Sequence, residues 1–410
     1  MSQESSHKTN HVALVFVIPI ALLLLSATAT EAASRGLVPL RVLSGPDDDP
    51  TVAFSFYVTS DIRGGVGDAE LATCEYFQGV VEAIRGLDGG GALMVSPGDL
   101  DPLPATYHAI TTTLGSDYHW YPGVGNHEFP GEGAEPYPGG SFDWLRAFDY
   151  DIGGTGVPPD LVSAGPTGCP STTYSFDHGP AHFVMLNVYC DAGGGMATYG
   201  DIPDHLYAWL DADLAASTQP LTFVLGHEPA YPQRDSENGR ISHAHNSLNE
   251  FVEHRDRFWA LLAQHGVTAY FSGHTHSYNA VRIDNVWHIS TGHAAGVGET
   301  ETRSTFVRVL VNGRDVQYET YRQRPDELCS YELTDAWSSA TDARDVVPTP
   351  VLTPTPPPRG MFPPADLPQV AAGLGLSLLT LALLLGTVLV IIIAVRAGRP
   401  AAERQAPDGE

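Results

Sequence analysis

Lysine is almost missing from this chain: among 410 residues Lys8 is the only one, and every other basic side chain is arginine. Lys and Arg total 21 against 48 Asp and Glu, a formal net charge of −27. A surface this acidic repels phosphodiester backbones, which excludes DNA or RNA binding as the main role. The lysine shortage itself carries no functional reading. Cysteine is scarce, with four in the chain, and no two have the spacing of a zinc site. Asn-x-Ser/Thr acceptors are wholly absent, which argues against a eukaryotic secretory origin. There are no internal repeats, so the chain is not a repeat array. Hydrophobic residues still make up 43%, enough at this length for one large domain or two ordinary ones rather than a disordered chain.

Two apolar segments bear on compartment. Val12–Leu25 follows a polar start containing Lys8, and the small residues Ser26-Ala27-Thr28-Ala29 come next. That is the layout of a secretory signal, with cleavage after Ala29 or Ala32, and the run is short for a membrane span. Val370–Val395 contains no charge and is long enough to cross the hydrocarbon core. Arg396, Arg399 and Arg404 follow it, which places the tail in the cytoplasm and everything upstream outside. A polar tail after the apolar run favours a single-pass anchor over a glycolipid signal. Between domain and anchor, Val346–Pro368 is rich in Pro and Thr, an extended, semi-rigid stalk. The division expected is signal peptide 1–33, flexible lead 34–50, folded domain 51–345, stalk 346–369, transmembrane helix 370–395 and cytoplasmic tail 396–410.

Cys74, Cys169, Cys190 and Cys329 all lie in the exported part, where disulfides are permitted. Cys169 and Cys190 flank an apparent β-hairpin, which favours their pairing and leaves Cys74 with Cys329. Four reduced, buried thiols are the other reading.

From about residue 50 to 322 the pattern is α/β. Strands are expected at Val52–Ser60, Ala92–Ser96, His119–Val124, Thr172–Asp177, His182–Val188, Leu221–Leu225, Val267–Phe271 and Val286–Ser290. Helices are expected at Ala69–Arg85, Ala105–Leu114, Asp204–Ala216 and Leu248–His265, with a short one near Phe142–Phe148 in an otherwise loop-like stretch from Pro130 to Pro170. Phe306–Val311 and Arg314–Tyr321 close a hairpin through Asn312-Gly313, the strongest turn signal in the chain.

The chemistry gathers where strands end. Ser60-Asp61-Ile62-Arg63, Pro97-Gly98-Asp99, Gly125-Asn126-His127-Glu128, Gly226-His227-Glu228-Pro229 and Gly273-His274-Thr275-His276 each follow a strand. In α/β folds the carboxyl edge of the strands is where ligands bind. Glycine stands before Asp99, Asn126, His227 and His274, as expected where backbone turns sharply beside something close. Oxygen and imidazole donors without thiolates suit Zn, Fe, Mn or Ni. The donors exceed what one tetrahedral ion needs and suit two metals about 3.5–4 Å apart, an arrangement that clamps both oxygens of an in-line phosphoryl displacement.

In order and spacing these residues resemble the calcineurin-like metallophosphoesterases, especially the branch near the purple acid phosphatases. The pattern D-x-[HR]…GD…GNH[ED]…GH…GHxH runs from Asp61 to His276, and Phe258–Asn279 resembles the family's closing helix–strand–GHxH unit. The resemblance implies a two-sheet αββα sandwich holding two metal ions (Fe, Zn or Mn). Asp99 would bridge them, Asn126, His227 and His274 would complete one site, and Asp61 and His276 would hold the other. His127 would protonate the leaving group or stabilise its charge while a hydroxide bridging the metals attacks phosphorus. Glu128 would orient His127 rather than bind metal.

Two departures from the family pattern stand out. Arg63 occupies the place of a ligating histidine, and arginine stays protonated and cannot ligate. A fixed cation about 4 Å from a metal costs about 4 kcal/mol per unit charge at an effective dielectric of 20, so Arg63 points away or toward phosphate. A phosphate contact, for which guanidinium is well matched, and a salt bridge to Asp61 are both open. Pro102 stands where purple acid phosphatases supply a tyrosine. Water, Asp101 or a distant residue would then complete the first site, or it binds weakly.

Of 17 histidines most need no chemistry. His119, His182 and His288 read as packing or surface residues on strands, and His243 and His245 as exposed loop residues, with metal ligation the other reading, in a loop (Pro232–Asn249) expected to line the pocket mouth. His293, Tyr278 and Asn279 stand near the motif turns. The function expected is hydrolysis of a phosphate monoester outside the membrane, by a domain anchored to it. A phosphodiesterase or nucleotidase, or a non-catalytic surface binding protein on the same fold, are the alternatives; the substrate would be a small phosphate ester.

Overall fold

Strand β1 (Phe54–Val58) alternates its side chains: Phe56 and Val58 enter one core, Tyr57 another, and all three are fully buried. A strand apolar on both faces has to be covered on both. The structure, a computed structural model, describes residues 53–62, 72–128, 145, 161–190, 199–298 and 301–339. Two sheets form its framework. One contains β1, β2 (Leu93–Ser96), β3 (His119–Pro122), β11 (Thr305–Asn312), β12 (Asp315–Arg324) and β13 (Glu327–Ser338), in the order β13-β12-β11-β1-β2-β3. The other contains β4 (Leu161–Ala164), β5 (Tyr174–His178), β6 (Ala181–Leu186), β7 (Leu221–Gly226), β8 (Ala269–Ser272), β9 (Tyr278–Ile283) and β10 (Val286–Thr291), in the order β4-β5-β6-β7-β8-β10-β9.

The central strands are parallel, β1 with β2, β2 with β3, β6 with β7 and β7 with β8. Parallel neighbours need a crossover, usually a helix. Four helices fill that role: α1 (Phe77–Asp88), α2 (Leu103–Leu114), α3 (Asp204–Ala216) and α4 (Val252–Gln264). Between the sheets lies an aromatic layer in which Phe56 meets Phe183 and Phe223 edge-on, each at 5.0 Å, and Phe176 stacks on Tyr121 at 3.8 Å. The outer faces carry Tyr57, Met94, Val184, Val224 and Tyr270 against helix residues such as Phe77, Ile84, Leu210 and Phe258. The expected αββα layering is present in the described residues.

Several elements differ from what the pattern predicts. Helix α1 starts at Phe77 rather than Ala69, because the Cys74 carbonyl crosses its first turn, against Gly79, where a Cβ would collide with it. It runs on to Asp88, since Gly89 at φ 78° caps the Arg85 carbonyl. Strands β4, β9 and β13 were not expected at all. β4 is short with an irregular register, and β13 alternates weakly because it is a half-exposed edge. Of the helix expected near Phe142–Phe148, only Leu145 is described. Both disulfides pair as expected, Cys74–Cys329 and Cys169–Cys190. Among the described residues no helix is long and apolar enough to cross a membrane. The Val12–Leu25 run, the stalk and Val370–Val395 lie outside the described residues.

His182 and His288 are packing residues, as expected. His182 sits between the carboxylates of Asp177 (2.7 Å) and Asp213 (3.0 Å). His288 is buried beside Trp259, Tyr270 and Tyr231, and its Nε2 accepts the Tyr231 backbone N–H at 3.3 Å. Burial lowers its pKa to about 3. The unfolded chain therefore takes up a proton on this side chain below about pH 6.5 that the folded chain refuses, so its stabilising effect is lost as the pH falls from there toward 3. Between pH 6.5 and 4 this side chain removes on the order of 3 kcal/mol of folding stability. A His288→Gln chain should show a correspondingly shallower acid limb in denaturant titrations. An unchanged limb would contradict this account.

Candidate metal centre

Each expected site residue follows a parallel strand by one to four positions: Asp61 after β1, Asp99 after β2, Asn126 after β3, His227 after β7, and His274 and His276 after β8. All of them meet at the shared carboxyl edge of the two sheets. The backbone there is unusual. Asp61 (φ 50°), Asp99 (56°), His274 (67°) and His276 (51°) are left-handed without being glycine, a state costing about 1–3 kcal/mol per residue that persists only where surroundings over-determine it. They do so here. Asp61 N–H donates to the Gly98 carbonyl (3.2 Å), Ile62 N–H to that of Asp99 (2.8 Å), and Gly273 N–H to that of His227 (3.0 Å). The His274 N–H donates to both oxygens of Asp61, at 3.0 and 2.9 Å. Two glycines are dictated by space: a Cβ on Gly125 would strike the Asp99 carboxylate, and one on Gly273 that of Asp61.

The donor atoms converge. Asn126 Oδ1 lies 3.2 Å from His227 Nε2 and 2.9 Å from His274 Nδ1, and His227 Nε2 lies 3.4 Å from Asp99 Oδ1. On the other side, His276 Nε2 is 3.5 Å from Asp61 Oδ1. Asp61, Asp99 and His227 each offer a ligand atom within 4.8 Å of the others. Both carboxylates are buried, at 2% and 3% exposure, and the described part of the site contains no Lys or Arg. Arg63 lies outside the described residues.

The electrostatics show what such a pocket needs. Burial raises Asp61, against the pull of His227 and His276. Asp99 is held below the usual carboxylate range although burial works the other way, chiefly by His227 and then His127. His227 in turn is pushed up to about 9, burial opposing and Asp99 prevailing. Without another cation, the buried carboxylates draw a proton onto the imidazole between them. His274 is driven far down by burial and His227, leaving a neutral ring with a lone pair. Two buried carboxylates, an amide oxygen and imidazole nitrogens converging on one space are donors that fit hard or borderline metal ions.

His127 is partly open, its side chain 38% exposed, with Nε2 3.8 Å from Asp99 Oδ2; its backbone N–H donates to Asp99 Oδ1 at 2.9 Å. Glu128 does not do what the sequence suggests. It turns away from His127 and accepts three backbone N–H groups, from Gly125 (2.6 Å), Asp99 (2.9 Å) and Leu100 (2.7 Å). Fully buried, it clamps the loops after β2 and β3 together.

His243 is exposed, as expected of a loop histidine, and its ring lies 5.5 Å from that of His274 and 5.7 Å from that of His276, on a left-handed backbone (φ 49°). Its position two residues before His245 in a polar stretch carried no periodicity; only the coincidence of histidine with a strained turn could have signalled it. His293 comes within 6.1 Å of the His276 ring. Both its nitrogens are engaged by backbone, with the Thr302 carbonyl at 3.1 Å and the Ala295 N–H at 3.3 Å, so it supports the site from behind. Pro102 caps α2 after a cis peptide bond from Asp101.

Comparison with known proteins agrees with this geometry. The calcineurin-like phosphoesterase family model matches residues 54–278. Purple acid phosphatase 23 of Arabidopsis thaliana is 35% identical over 117 residues, covering 27% of this chain and 21% of that protein. Probable purple acid phosphatase 20 of the same plant is 25% identical over 221 residues, covering 51% of this chain and 44% of that one. The chain thus spans less than half the length of either relative. A solved purple acid phosphatase from yellow lupin (Lupinus luteus) seeds superposes with a TM-score of 0.43 at 15% identity, over 70% of this chain and 53% of the other.

Glu128→Ala would leave three N–H groups unpaired at the centre, each costing about 1–3 kcal/mol. The expected outcome is a stability loss of at least about 3 kcal/mol in denaturant unfolding, with weakened metal uptake measured by elemental analysis. A loss below about 1 kcal/mol would show that the clamp is dispensable.

Proposed function

The chain belongs to the calcineurin-like phosphoesterase family, and from that membership and the converging donors we propose that it hydrolyses phosphate monoesters at a two-metal centre, outside the membrane to which it is anchored. The observation that carries the proposal is the meeting of Asp61, Asp99, Asn126, His227, His274 and His276 at one sheet edge. Asn126, His227 and His274 would hold one ion and Asp61 and His276 the other, with Asp99 between them. Two Fe, Zn or Mn ions there would supply positive charge to the phosphoryl oxygens and lower the pKa of water.

The chain's own residues perform the rest. The left-handed loops and the Glu128 clamp fix the donors before any ligand arrives, so little reorganisation remains at the moment of reaction. His127 stands at the open side with its imidazole beside Asp99. As water oxygen bonds to phosphorus and the ester P–O bond breaks, the departing oxygen takes a proton from protonated His127, and the proton released by the water restores it. His243, exposed, stands beside the rings of His274 and His276. Arg63, just past Ile62, is proposed to contact the phosphate oxygens. The two disulfides, the signal-like start and the apolar Val370–Val395 segment support an extracytoplasmic, single-pass arrangement.

Metal-loaded protein should hydrolyse p-nitrophenyl phosphate. His127→Ala should keep its metal and lose roughly 100- to 10,000-fold in kcat. Unchanged kcat in that variant would refute the role of His127. Activity confined to bis(p-nitrophenyl) phosphate would move the assignment to a phosphodiesterase, and no activity with Mn, Zn or Fe would leave only a binding function.

A further inference from the structure

Between the buried Pro232 and Leu248, the loop carrying His243 has no buried apolar side chain. From Gln233 to Asn246 a single residue is buried, and it is Asp235. Its carboxylate is a hub: Oδ1 accepts the N–H groups of Glu237 (3.0 Å) and Asn238 (3.2 Å), and Oδ2 that of Tyr278 (2.9 Å). Arg322 of β12 closes on the same carboxylate with both arms, Nη1 to Oδ1 at 3.1 Å and Nη2 to Oδ2 at 2.9 Å. The two side chains are 2% and 1% exposed, and the guanidinium lies 5.1 Å from the centre of the Tyr278 ring. A second arm contact, from Nη1 to Glu237 at 2.8 Å, holds the next turn of the loop.

From this anchor the loop runs back to the metal ligands. Ser236 N–H donates to the Tyr278 carbonyl (2.9 Å), and Ser242 N–H donates to the Thr275 carbonyl (3.0 Å), between His274 and His276. His243 follows at once, in its left-handed conformation, with its ring over both ligand histidines. A bidentate ion pair at this depth is poor at adding net stability but strict about geometry, because both planes and both hydrogen bonds must match.

We propose that Asp235 and Arg322 are the positioning residues of His243: their buried pair seats an otherwise polar loop so that the His243 imidazole faces a phosphate group bound at the metal centre. The inference rests on the phosphoesterase reading for the identity of that occupant. It differs from a merely structural role in acting through one side chain.

The test uses the full metal-loaded chain with inorganic phosphate as the probe, followed by calorimetry, alongside p-nitrophenyl phosphate kinetics. Asp235→Asn and His243→Ala should each weaken phosphate binding about tenfold, with metal content unchanged. The double variant should be no weaker than His243→Ala alone, since the anchor has nothing left to position. Arg322→Lys, which keeps the charge but loses the fork, should fall between wild type and Asp235→Asn. If Asp235→Asn proves too unstable to purify, the neutral pair Asp235→Asn/Arg322→Gln removes the unpaired buried charge and takes its place. Multiplicative losses in the double variant, or wild-type phosphate affinity in a folded Asp235→Asn chain, would overturn the proposal. Phosphate binding that behaves as expected in a chain without hydrolysis would retain it while rejecting the hydrolase assignment. A wild-type chain that binds no phosphate would overturn both.

Discussion

Asp61 and Asp99 are carboxylates from adjacent strands, 2% and 3% exposed, brought close enough to share a ligand space with His227. Two buried like charges repel and lose hydration, so the fold has to constrain them and supply positive charge. Much of the local structure follows from that one demand. Their backbones are forced into left-handed turns; glycines at 125 and 273 vacate the volume each carboxylate occupies; the His274 N–H reaches across between the sheets to both Asp61 oxygens. Glu128 adds a third buried carboxylate to the neighbourhood, which is tolerable because three backbone N–H groups surround it. The imidazoles complete the balance, since Asp99 pushes the His227 pKa up to about 9 against the effect of burial.

Overall charge sets this centre against its surroundings. A chain at −27 repels phosphate esters at long range. Local cations therefore have to reverse the field at the pocket itself, and screening confines the repulsion to about 8–10 Å at physiological salt. His127, 38% exposed beside Asp99, and His243, exposed beside His274, are titratable groups that could add to that charge.

The residues that cluster at the centre were legible in the sequence because each sits next to a hydrophobic strand, and strands announce themselves by composition. Asp61, Asp99, Asn126, His227, His274 and His276 could be read as one set once their strands were parallel and in one layer order. The disulfide partners were legible for a similar reason, since Cys169 and Cys190 bracket a hairpin. What escaped was everything positioned by long-range polar contact. His243 lies in a loop whose seat is Asp235 against Arg322, 87 residues away, and no local pattern encodes such a partner. Glu128 was assigned to its sequence neighbour His127 because motif adjacency says nothing of where a side chain turns. Strand β13 was missed because it is exposed or half-buried along both faces, with only Trp337 buried, so it has little alternation to read.

The central claim is that the clustered carboxylates and imidazoles hold two metal ions about Asp99. Crystals of the protein grown with Mn or Zn, with anomalous diffraction recorded at the metal's absorption edge, test it most directly. The account predicts two peaks about 3.5–4 Å apart. One would lie against Asn126, His227 and His274 and the other against Asp61 and His276, with an Asp99 oxygen between them. A single peak, or two peaks that leave Asp99 on one side, would contradict it.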